Sequence, residues 1–270
     1  MSVYILAGAR TPSGSFLGSL STVSAPKLGA VAIEAALKKA EISPSQVEEV
    51  FMGNVITSGV GQAPARQAAM LAGLSESVPC TTVNKVCGSG LKTIITGAQT
   101  ILAGDNKLVV AGGMENMSMA PHLLMNSRNG IKFGEANLKD SMQWDGLWDV
   151  YSNRAMGNCA EECAAKYSNR EEQDAFSIES FKRAQAAIKD GVFNSEIAAV
   201  TIKGAKGDTI VSIDEGPSKA NFEKMPGLKP AFEKNGTITA ANASTLNDGA
   251  AAVVLGGEEY KAQAKFKIVS

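Results

Sequence analysis

Apolar residues recur along this chain with two different periods, and the switches between the periods mark its elements. Residues 3–7 form a short apolar run that reads as a central strand, and residues 10–24 lose the pattern and fill with glycine and serine, a loop. Over residues 27–39 the spacing becomes helical, with Leu28, Val31, Ala32 and Ala35 on one face and Pro26 near the first turn. Ser43-Pro44 starts a short helical turn, residues 49–55 read as a strand, 63–71 as a helix and 78–83 as a strand. Leu91, Ile94, Ile95, Ala98, Ile101 and Leu102 then lie on one face of a helix expected to be buried. Residues 107–111, apolar from Leu108 onward, read as a strand covered on both faces. Strand alternating with helix predicts a layered α/β domain.

After Ser118 the pattern changes. Residues 121–150 scatter polar, glycine and tryptophan residues with no clear period, and 156–167 read as a helix. Asn169 and Glu172 have the spacing of a capping box, opening a long helix that runs to about Lys189 and closes at Gly191. Residues 197–203 and 209–213 look like a strand pair, 221–235 are loop-rich, 250–255 return to a buried strand, 258–265 to a helix, and 266–270 to a strand. No internal repeat is evident. The pattern predicts one compact domain from residues 1–118 plus 243–270, interrupted by an inserted domain over 119–242.

The chemistry concentrates between Thr81 and Leu102. A β-branched run leads into Cys87, Gly88 and Gly90 follow, and the apolar helical stripe begins at once. A thiol at such a junction feels the helix N-terminus, whose partial positive charge favours the thiolate. The glycines permit a tight turn and close approach of a ligand, and the same N–H groups suit a developing oxyanion. This is the layout of a nucleophile elbow with sulfur as the nucleophile. The local residues leave a second reading open, in which Cys87 is a small buried apolar side chain.

The stretch N-K-V-C-G-S-G-L-K at residues 84–92 resembles the nucleophile motif of the thiolase family, and its C-G-S-G-L-K form is closer to the biosynthetic branch than to the degradative one. A-R-T-P at 9–12, A-G-G-M-E-N-M-S at 111–118 and N-A-S-T-L-N-D-G-A-A-A at 242–252 resemble further family segments in the same order and spacing. The resemblance implies an α/β fold: a layered α/β/α domain carrying the nucleophile, an inserted α+β loop domain covering coenzyme A, and a second, similarly folded half. It implies a reversible condensation of two acetyl-CoA to acetoacetyl-CoA through an acyl-thioester on Cys87. Coenzyme A enters as substrate, and neither a resident cofactor nor a metal is implied. By position, Leu147 and Met156 match apolar residues along the pantetheine tunnel. Ser244 matches a serine near the pantetheine amides, and Lys219 stands where relatives carry an arginine beside the adenine and phosphate. Lysine keeps that charge and loses the planar stacking. Ala155 stands where the biosynthetic branch usually has a histidine, which bears on acyl-chain preference. The family's second half supplies an activating histidine and a second cysteine, neither of which is located in this sequence. The chain by itself is therefore expected to be incomplete for condensation and to retain at most acylation of Cys87. Rival readings are a degradative 3-ketoacyl-CoA thiolase and a non-catalytic fragment that binds acyl-CoA or a partner chain. The resemblance also implies a homo-oligomer or pairing with a complementary chain.

Composition narrows the field. The chain has 270 residues, 44% of them hydrophobic, enough to bury a sizeable core. A net charge of −1 gives no field for nucleic acid or an anionic membrane. No apolar run has the length of a transmembrane helix, and no export signal is evident near Met1. Cys80, Cys87, Cys159 and Cys163 are scattered, as in a reduced cytoplasmic protein. Cys159 and Cys163 lack the further ligands of a metal site and read as helix packing or surface thiols. His122, the single histidine, reads as a loop or interface residue. Gly59–Gly61 reads as a turn, Glu48-Glu49 and Glu161-Glu162 as solvated faces, and Gly112-Gly113 as close backbone packing.

Overall fold

The computed structural model describes residues 2–269; Met1 and Ser270, the outermost residues of the expected first domain, lie outside it. In chain order the elements are β1 (Val3–Arg10), β2 (Gly14–Ser15), α1 (Ala25–Ala40), β3 (Glu49–Gly53), α2 (Pro64–Leu71), β4 (Cys80–Val83), α3 (Ser89–Ala103) and β5 (Leu108–Asn116). There follow β6 (His122–Leu124), β7 (Leu138–Asp140), β8 (Trp148–Asp149), β9 (Arg154–Ala155), α4 (Met156–Tyr167) and α5 (Arg170–Lys189). The last are β10 (Val200–Ile202), β11 (Thr209–Val211), β12 (Asn247–Gly256) and β13 (Phe266–Ile268). The chain divides into two compact units.

The first unit comprises the described residues up to Met119, Phe193–Ile213 and those from Asn247 onward. Its seven-stranded sheet has the order β13-β1-β12-β5-β3-β4, with β2 beside β12. β3 runs parallel to both β4 and β5, while β12 lies antiparallel to both β5 and β1. The central strand β5 alternates as its period demands: Leu108 and Val110 join one apolar cluster with α1 and α2, and Val109 and Ala111 join the other with Ala98 and Ile101 of α3. Two core layers on opposite faces of one sheet are the α/β layering expected.

The second unit, Ala120–Val192 and Asp214–Leu246, has its own internal ties. Helix α5 begins with a reciprocal cap: Glu172 N–H donates to Asn169 Oδ1 and Asn169 N–H to Glu172 Oε2, each at 3.0 Å. Arg170 holds the buried Asp174 at 2.6 Å, and Asp174 accepts Asn242 Nδ2 at 3.0 Å. Residues 121–150, without a period in sequence, form the β6–β7 hairpin, one strand of the short β8–β9 pair and a π-helical turn, Met142–Gly146.

Four expectations need correction. The 197–213 hairpin, placed by sequence in the insertion, belongs to the first unit: Arg10 N–H donates to Glu196 O at 3.0 Å, Ala198 N–H to Arg10 O at 2.7 Å, and Val200 and Val211 are buried in the main core. The helix expected over 258–265 is a 3-10 stretch, Glu258–Gln263; Lys265 N–H is tied to Ile5 O at 2.9 Å, so the chain rejoins the sheet before an α-helix can develop. The apolar stripe of α3 is not buried as a whole. Ser89, Thr93, Gly97, Ala98 and Ile101 face the sheet, and Leu91, Ile95 and Leu102 are 65%, 40% and 53% exposed. Small residues let the helix lie close, so the sheet-facing row is not the row of largest side chains. Finally, Glu161 is not a solvated residue: it is buried and accepts both Thr237 N–H and Ile238 N–H.

Candidate active site

Cys87 lies two residues before the first residue of α3, on a turn the sequence can close only under strain. Val86 has φ 48°, the left-handed region, which a β-branched residue rarely adopts. Strain of this kind costs about 1–3 kcal/mol and persists only when neighbours hold it. Here Val86 N–H donates to Asn84 Oδ1 at 3.0 Å, and Ser89 Oγ accepts Lys85 N–H at 2.8 Å while donating to Val86 O at 2.6 Å. Gly88 N–H returns to Lys85 O at 3.1 Å and caps α3. The Cys87 thiol is unpaired and the residue is exposed, which excludes the buried apolar reading.

The helix meets the sheet through glycines. A Cβ on Gly53 would stand 2.8 Å from Ser89 Cβ and 3.0 Å from Gly90 N, and one on Gly113 would stand 3.4 Å from Gly90 Cα. Buried Thr93 Oγ1 lies 2.6 Å from Gly90 O and 2.8 Å from Gly112 O, tying the first turn of α3 to β5. The expected close packing at Gly112-Gly113 is thus the contact that seats the elbow.

Because β3, β4 and β5 are parallel and β12 antiparallel, their ends gather the distant motifs. Thr11 Oγ1 accepts Ala250 N–H at 3.0 Å and donates to Pro12 O at 2.9 Å. Asp248, fully buried, accepts Ser118 N–H at 3.0 Å and Ser118 Oγ at 2.6 Å. Asn116 Nδ2 donates to Val23 O at 2.7 Å and to Leu20 O at 3.1 Å. Glu115 accepts Asn54 Nδ2 at 2.6 Å, Val55 N–H at 2.8 Å and Ile56 N–H at 3.3 Å. Burial pushes the Glu115 carboxyl above the ordinary carboxylate range, and those donors only partly offset it.

Other residues singled out from sequence lie in the second unit. Leu147 and Met156 come together at the base of the β8–β9 pair, where Met156 N–H donates to Leu147 O at 2.8 Å; Leu147 is half-buried and Met156 exposed. Lys219 is exposed at the end of a 3-10 turn, Gly216–Lys219, and Ser244 lies exposed on a different segment. His122 is exposed in β6, paired in register with Asp140. The Cys159 thiol points to Asp149 Oδ2 at 3.8 Å, and Cys163 is exposed. Among the described residues, no cluster of His, Cys, Asp and Glu could hold a metal. The sequence singled out Cys87 and missed its braces: Asn84, Ser89, Asn54 and Glu115. Asn84, Ser89 and Glu115 stand inside motifs read from sequence, and Asn54 follows the apolar run of β3; a polar residue closing an apolar run was the only signal for it.

The strained thiol elbow sits on a layered α/β sheet, and comparison with known proteins gives the family. The family model "Thiolase, N-terminal domain" matches residues 3–259, and the chain belongs to the thiolase family. It is 54% identical over 258 residues to acetyl-CoA acetyltransferase erg10A, mitochondrial, of Aspergillus fumigatus, covering 94% of this chain and 60% of that protein. It is 55% identical over 256 residues to an acetyl-CoA acetyltransferase of Cupriavidus necator, covering 94% of this chain and 65% of that one. The chain therefore spans less than two thirds of the length of these curated relatives. The crystal structure of Acat5 thiolase from Ascaris suum in complex with coenzyme A matches with a TM-score of 0.93 at 42% identity, over all of this chain and 70% of that one.

Proposed function

We propose that this chain is the nucleophile-bearing and loop portion of an acetyl-CoA acetyltransferase that joins two acetyl-CoA to acetoacetyl-CoA and coenzyme A, reversibly. The observation that supports it most is the exposed Cys87 thiol on its strained elbow at the entry to α3. In the first half-reaction the Cys87 thiolate attacks the acetyl-CoA carbonyl, a sulfur–acyl bond forms, and the coenzyme A thiolate leaves and takes up a proton. The reading gives the backbone N–H groups at the start of α3 the task of holding the developing oxyanion. Condensation also needs a base for the α-proton of the second acetyl group. The reading assigns that base, with the activating histidine, to the portion of its longer relatives that this chain does not match.

Coenzyme A is the substrate carrier, and Leu147, Met156, Lys219 and Ser244 are its proposed contacts. The apolar pair at the base of β8–β9 suits a pantetheine chain and the exposed Lys219 ammonium suits a phosphate. The names of the relatives favour the biosynthetic over the degradative reading. The protein is proposed to act as a homo-oligomer or with a complementary chain, because Leu91, Ile95 and Leu102 leave an apolar row uncovered on α3. Four unpaired cysteines fit a reducing, cytoplasmic setting, and no helix among the described residues is long and apolar enough to cross a membrane.

Exchange of labelled coenzyme A into acetyl-CoA tests the half-reaction. The chain is expected to catalyse it and the Cys87→Ala variant to lose it; equal exchange by both would refute the assignment.

A further inference from the structure

We infer that Glu115 is a positioning residue for Cys87, acting through residues 54–56 and Asn84. This rests on the reading of Cys87 as the nucleophile. The Glu115 carboxylate sits at the end of β5 and takes three donors from the residues that follow β3: Asn54 Nδ2 at 2.6 Å, Val55 N–H at 2.8 Å and Ile56 N–H at 3.3 Å. Asn54 is 1% exposed, and its Nδ2 also reaches Met114 O at 3.2 Å, so the segment is fixed to β5 from two sides. Val55 then presents its carbonyl to Asn84 Nδ2 at 3.4 Å, and Asn84 Oδ1 accepts the Val86 N–H at 3.0 Å. A continuous run of hydrogen bonds thus leads from Glu115 to the residue before the thiol.

The physical need is the left-handed Val86. An amide N–H that must stay in a strained turn is held only as firmly as its acceptor, and the Asn84 side chain has two ends. Its oxygen grips Val86 and its amino group is aimed by the Val55 carbonyl, which Glu115 fixes. A carboxylate suits the anchor because its two oxygens offer acceptor sites for all three donors. Glutamine has one acceptor oxygen and would turn an NH2 group toward a backbone N–H. When the anchor is lost, residues 85–88 sample other conformations and the thiol spends less time at the start of α3.

The test is the rate at which iodoacetamide alkylates Cys87 in the full chain, resolved by peptide mass, with exposed Cys163 as internal control. Glu115→Gln removes the anchor. Asn84→Asp keeps the oxygen for Val86 and removes the donor to Val55. Each is expected to slow Cys87 about fivefold, the worth of one net hydrogen bond, with Cys163 unchanged. The double variant is expected to be no slower than the slower single, since both cut one path. Cys87 reacting at the wild-type rate in either folded single variant, or effects that multiply in the double, overturns the inference. If Glu115→Gln does not fold, Asn84→Asp, at an exposed position, decides alone. Alkylation needs no acyl transfer, so a wild-type chain that fails to exchange coenzyme A would sink the functional reading without touching this result.

Discussion

At the scale of single residues, two carboxylates, half-buried Glu115 and buried Glu161, respond to pH in opposite senses. Burial raises Glu115, so between the ordinary value of 4.5 and its higher folded value the native chain binds more proton than the unfolded one. Over that interval stability falls as pH rises. Burial also opposes ionisation of Glu161, but the N–H groups of Thr237 and Ile238 and the Thr237 hydroxyl outweigh it and hold the carboxyl low. Its contribution is present above 4.5 and is lost as pH falls toward the lowered value. Urea unfolding of wild type against Glu115→Gln and against Glu161→Gln, across mildly acidic pH, is expected to give differences of opposite slope; matching slopes would contradict the burial account. Cys87 was legible in the sequence because an elbow has a local signature: β-branched run, cysteine, glycines, helix. Glu115 and Glu161 were not, because their meaning lies in backbone donors from segments distant in the chain. Nothing in E-N-M or A-E-E reveals which N–H groups will face them.

At the scale of elements, period and capping located most of the secondary structure. The capping box of α5 and the span of α4 could be read directly, since both depend on neighbours within one turn. The orientation of α3 could not. Its largest apolar side chains trace a helical stripe, but Gly97 sits where a Cβ would stand 3.0 Å from both Leu255 and Val109, so the helix turns its small residues to the sheet. Substitution separates the two orientations. Ile101→Ala is expected to cost about 2–5 kcal/mol, and Leu91→Ala to stay within about 0.5 kcal/mol, by chemical denaturation of the full chain diluted to the monomer. Equal costs would restore the fully buried stripe. The 258–265 stretch was misread for a related reason: its composition suits a helix, and the pull of β13 back to β1 is a tertiary demand the local pattern does not carry.

At the scale of the whole molecule, the four motifs at 9–12, 84–92, 111–118 and 242–252 are spread over most of the chain, and residues from each meet at one end of the first unit's sheet. Their order and spacing identified the family from sequence, and the parallel run of β3, β4 and β5 explains why they meet: carboxyl ends of parallel strands share an edge. The limits of the two units were harder to read. The β10–β11 hairpin has an ordinary alternating pattern, and only the pairing of residues 196–198 with Arg10 reveals which core it joins. The central claim is that the elbow is a working nucleophile, and intact mass after incubation with acetyl-CoA tests it most directly. One acetyl group gained by the chain, mapped to Cys87 and absent from Cys87→Ala, is the predicted result. A folded chain that gains none, or gains it equally in the variant, would contradict it.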